Sequence, residues 1–81
     1  MHELSIAVSL VDLVEEELIQ HGGGRVRAVH IQLGPLACVA KEALLFSFGL
    51  VSEGTVAEGS SLVIQEGEGQ DLNLLQMEIE P

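Results

Sequence analysis

Three consecutive glycines, Gly22-Gly23-Gly24, divide a stretch of helical periodicity from a stretch of strand alternation. That break limits the possible folds more than any other feature of the chain. Upstream, Glu3 to Gln20 carries Leu4, Ala7, Val8, Val11, Val14 and Leu18 at i, i+3 and i+4 spacing, which is one apolar stripe on a helix. Downstream, Arg25 to Leu33 alternates Val29, Ile31 and Leu33 with Ala28, His30 and Gln32, the pattern of a strand with one apolar face. Glycine reaches left-handed backbone conformations at little steric cost, so the helix ends where the glycines begin.

Gly34-Pro35 ends the strand. Lys41 to Val51 is predicted as a second helix with Leu44, Leu45, Phe48 and Val51 on one side, closed by Glu53-Gly54-Thr55. Ser61 to Glu66 and Asp71 to Glu80 are predicted as two further strands. The short link Gly67-Glu68-Gly69-Gln70 between them is expected to form a hairpin turn. The order is α-β-α-β-β. Two amphipathic helices need an apolar surface to cover, and a three-stranded sheet supplies it. The expected fold is a two-layer α/β (α+β) domain over residues 1–81.

The chain has 81 residues, 47% of them hydrophobic, enough for one small packed core and too apolar for disorder. Thirteen acids against three bases give a formal charge of −10. Nucleic acid and anionic membrane surfaces both require a basic footprint, so neither is an expected partner. A single cysteine, Cys38, excludes an internal disulfide and fits a reducing compartment. No segment has the pattern of a signal peptide or the length of a membrane span, so the expected location is the cytoplasm.

The opening MHE is the strongest candidate for chemistry. The α-amine of Met1, the deprotonated amide nitrogen of His2 and its imidazole can close two adjacent chelate rings. Planar nitrogen donors suit Ni(II) or Cu(II), and the fourth position can be filled by the Glu3 amide, the Glu3 carboxylate or a ligand from elsewhere. The alternative reading of the same residues is an exposed histidine at a frayed helix start. His21, at the end of the first helix, is suited to capping carbonyls; His30 to surface or edge packing; Cys38 to a small buried hydrophobe; Glu42 to the first turn of the second helix. No Cys-x-x-Cys pair, phosphate loop or nucleophile–base arrangement is present, so no catalytic residues are assigned.

Three long stretches, MHELSIAVSLVDLVEE, VRAVHIQLGPLACVAKEALLFSFGLVSEGTVAEGSSLVIQE and DLNLLQMEIE, together resemble the HypA/HybF family of nickel metallochaperones for [NiFe]-hydrogenase maturation. The resemblance implies a nickel site at Met1, His2 and Glu3, with His2 as ligand. It also implies a second, zinc-binding domain with two Cys-x-x-Cys pairs, inserted between the last two strands. Here that place holds only the link at about 67–70, so no zinc is expected. The resemblance further implies delivery of Ni(II) to a hydrogenase large-subunit precursor with the GTPase HypB, without enzymatic chemistry. A hairpin freed of its insert allows strands to swap between copies, and so a homodimer. The competing expectation is an interaction or scaffold domain that no longer handles metal.

Overall fold

The computed structural model describes residues 2–80. In order they form α1 (His2–His21), β1 (Arg25–Leu33), a single 3-10 turn over Pro35–Ala37, α2 (Lys41–Val51), β2 (Ser61–Glu66) and β3 (Leu72–Glu80). The three strands make one mixed sheet in the order β2-β1-β3, with β2 parallel and β3 antiparallel to β1. Ala7, Leu10, Val11, Val14 and Leu18 of α1 join Leu44 and Phe48 of α2 and Val26, Val29 and Ile31 of β1 in one buried cluster. This is the expected two-layer arrangement.

The end of α1 follows from its glycines. Gly23 N–H donates to Leu18 O at 2.9 Å and Gly22 N–H to Ile19 O at 3.1 Å, with Gly22 at φ 102°. These two bonds satisfy carbonyls that the last helical turn would leave orphaned, and the left-handed residue between them falls on glycine. The buried stripe of α1 is rotated from the expected one. Leu10 is buried, whereas Leu4 and Val8 are 40% and 46% exposed. On α2, Leu45 is exposed rather than buried. Both helices carry apolar residues around more than half their circumference, so periodicity alone leaves the direction of the buried face open by one position.

Val26 and Val29 are both in the core although they are three residues apart. The pairing of β1 with β3 slips between Val26 and Ala28, which leaves Arg27 as the extra residue of a bulge. A bulge shifts the alternation by one, so both valines point inward.

The expected hairpin between the last two strands is not formed. β2 and β3 are not neighbours; they flank β1 on opposite sides. The most buried strand takes the centre, where both of its edges are paired. The link must then span two strand spacings, about 10 Å, which four or five residues can do and a tight two-residue turn cannot. It crosses the end of β1 and is fastened there. Gly67 N–H donates to Leu33 O at 2.9 Å, Gly34 N–H to Asp71 O at 2.8 Å, and Leu36 N–H to Gly69 O at 2.8 Å. Without a hairpin, the strand exchange expected from one loses its basis.

Gly34 sits beneath this crossing. A Cβ there would stand 2.3 Å from Gly69 O and 2.5 Å from Glu68 O, both backbone atoms. Gly49, inside α2, has open space at the same position. The two therefore respond to alanine with opposite sign. Gly34→Ala should lose about 2 kcal/mol or more in urea unfolding, because backbone must move. Gly49→Ala should gain about 0.5–1 kcal/mol, because alanine is the better helix former.

Candidate metal site at the start of the first helix

Of the three predicted ligands, Met1 lies outside the described residues. His2 is the first residue of α1 and is exposed, and Glu3 follows in the same turn, half-exposed. At an α-helix N-terminus the first amides have no intrahelical acceptor, so the His2 amide is not committed to the helix ladder. The helix dipole is positive at that end and works against a bare cation. An ionised Glu3 and a deprotonated amide are the groups there that offset it.

The Glu3 side chain has a structural task as well. Its Oε2 accepts a hydrogen bond from Ala40 N–H at 3.1 Å. Ala40 is the N-cap of α2 and has no side chain with which to cap it. In a capping box, a glutamate three residues into the same helix reaches back to that N–H; here the carboxylate comes from α1 instead. The Ala40 bond is the first cause, and a bond from the residue's own amide the second, that hold the Glu3 carboxyl below its usual 4.5. One carboxylate thus ties the start of α1 to the start of α2. Sequence patterns did not reveal this contact. Its one trace is an alanine, Ala43, at the third helical position, where a capping-box glutamate would otherwise serve the Ala40 N–H.

The remaining candidates lie apart from this point. His21 is the last residue of α1. His30 Nε2 donates to Glu78 Oε2 at 2.7 Å, diagonally across β1 and β3 on the face turned away from the helices, and its Nδ1 is buried without a partner. Packing toward an edge strand is the role expected for it. Glu42 stands in the first turn of α2, as expected. Cys38 is not the buried hydrophobe expected. It is exposed and takes a left-handed conformation, φ 57° and ψ 39°, where the 3-10 turn ends, so its side chain is carried outward. Among the described residues, no three His, Cys, Asp or Glu side chains converge in a metal-binding cluster. A site here rests on backbone nitrogens and one imidazole.

A family model described as "Hydrogenase/urease nickel incorporation, metallochaperone, hypA" matches residues 1–72. The chain belongs to the HypA/HybF family. It is 46% identical over 70 residues to the hydrogenase maturation factor HypA of Chlorobaculum tepidum, covering 86% of this chain and 62% of that protein. It is 52% identical over 66 residues to HypA of Roseiflexus, covering 82% and 54%. Against the hydrogenase maturation factor HybF of Salmonella typhimurium it is 42% identical over 64 residues, covering 79% and 57%. The chain thus spans about three-fifths of the length of these HypA and HybF relatives. The solution structure of the Ni metallochaperone HypA from Helicobacter pylori shares its fold, with a TM-score of 0.85 at 16% identity over 96% of this chain and 97% of that one. No helix among the described residues is long and apolar enough to cross a membrane.

A carboxyl whose folded-state pKa is depressed stabilises the fold above its ordinary pKa and loses that contribution as pH falls through the folded value. The Glu3–Ala40 bond should therefore be intact at pH 7 and break only in acid. An NMR titration of the Ala40 amide should show a midpoint below 4.5. Glu3→Gln should remove that acid-side transition.

Proposed function

We propose that this chain is the nickel-handling domain of a HypA-type metallochaperone for [NiFe]-hydrogenase maturation, and that Met1, His2 and Glu3 hold the ion. The observation that carries the reading is an exposed imidazole at the first position of α1, beside a carboxylate kept ionised by Ala40, in a chain of this family. Ni(II) is cargo. The α-amine of Met1, the His2 amide nitrogen and the His2 imidazole supply three nitrogen donors in one plane. Each must shed a proton to bind, so loading weakens as pH falls. Release to a recipient is ligand exchange, in which an incoming donor replaces the weakest of the set; the freed nitrogens take back the protons shed on binding, and no other covalent bond of the protein changes.

The recipient and helper in this reading are a hydrogenase large-subunit precursor and the GTPase HypB, in the cytoplasm. The link at 67–70 is the point from which the family's zinc-binding domain is absent. The single cysteine supports this, and so does the position of the link: both of its ends are fastened over the end of β1, so an insert there leaves the sheet whole.

Calorimetric titration of Ni(II) into the untagged protein tests the site. His2→Ala should weaken binding at least about tenfold, which is about 1.4 kcal/mol, and an N-terminal extension that blocks the Met1 amine should do the same. Equal affinity in all three proteins would exclude the site. Loaded protein should show the absorption of square-planar Ni(II)–nitrogen complexes; an octahedral spectrum would remove the amide from the ligand set.

A further inference from the structure

The two helices do not cover the sheet evenly. β1 lies under both, whereas the inward side chains of β3, among them Leu74, Met77 and Ile79, are only partly buried. Beside them Leu13, Glu17 and His21, at i, i+4 and i+8 on α1, form a wall. Between wall and strand runs an open groove of about 720 Å³. Its far rim is the outer edge of β3. Because the strand order is β2-β1-β3, no strand among the described residues pairs with that edge, and its outward N–H and C=O groups lack ladder partners.

We propose that this groove takes an extended peptide with alternating apolar and basic residues, which adds to β3 as a fourth strand. Period-two alternation places every second side chain of an added strand on the same face. Apolar residues would drop against Met77 and Ile79. The intervening residues would lie over the opposite face, where Glu78 and Glu80, bonded to His30 and Arg27, keep side chains 59% and 51% exposed and accessible to a second cation. The net charge of −10 favours the same basic partner. The occupant is not a second copy of β3, because that would set its acids against like charges across the new pair. Pairing with β1 slips at Leu75, so the regular stretch of β3 is Gln76–Glu80, and the peptide needs about five paired residues. None of Met1, His2 and Glu3 lines the groove, and the inference stands apart from the nickel reading.

The test uses metal-free protein and a fluorescein-labelled seven-residue peptide of alternating lysine and valine, read by fluorescence anisotropy. Two controls share its composition: one N-methylated throughout, which cannot pair with a strand, and one with the lysines and valines in separate blocks. Each control should bind at least about tenfold more weakly. The double variant Glu78→Gln/Glu80→Gln should bind the alternating peptide about three- to tenfold more weakly. Amide NMR shifts should concentrate at Gln76–Glu80 and the last turns of α1. Equal binding of either control, an unchanged affinity in the double variant, or shifts located elsewhere would overturn the proposal. So would concentration-dependent self-association through β3, which would make the occupant a second copy.

Discussion

Every ladder hydrogen bond of the sheet has β1 as one partner, because β2 and β3 meet only through it. The same strand supplies Val26, Val29 and Ile31 to the cluster that both helices cover. Neither edge strand has other sheet contacts to keep it in place. The bulge at Arg27 follows from this central role: it turns Val26 inward and keeps the core face apolar along the strand. On the opposite face, Arg27 and His30 project from β1 toward Glu80 and Glu78 of β3, so one of the chain's three Lys and Arg residues and one of its three histidines are placed against the acidic strand.

The exit of β1 passes this order on to the start of the chain. Leu33 and Gly34 are bonded to the link that joins β2 to β3, and Leu36 is bonded to it again. The turn through Pro35–Ala37 and the left-handed Cys38 then delivers Ala40 to the Glu3 carboxylate. Glu3 is therefore held at the end of this path. Its position depends on a backbone path that begins at the centre of the sheet. A left-handed cysteine costs roughly 1 kcal/mol over a glycine, and this path is what holds it.

Much of the fold was legible in the chain because its signals were local. Three glycines at Gly22–Gly24 stop a helix whatever surrounds them, and the bounds of β1, α2 and β2 follow from periodicity and turn residues. What was not legible depended on partners remote in sequence. The order of strands is decided by which one best fills a two-sided position, and a short glycine-bearing link reads the same whether it turns a hairpin or crosses a neighbour's end. The exposure of Cys38 was set by the conformation of one residue. For the candidate site, the residue types at Met1, His2 and Glu3 were visible at once. The contact from Glu3 to Ala40 was not, because it joins residues 37 positions apart.

The central placement of β1 also orders events in time. β1, α2 and β2 are consecutive and can assemble from near neighbours. Arg27 and Glu80, by contrast, are 53 residues apart, and β3 can dock only after the loop between them has closed. Until it does, one edge of the central strand stays open, with Val29 and Ile31 beside unpaired backbone. The last step of folding is then the one that removes the sticky edge, and the slowness of long-range closure sets how long a newly made chain remains prone to aggregate.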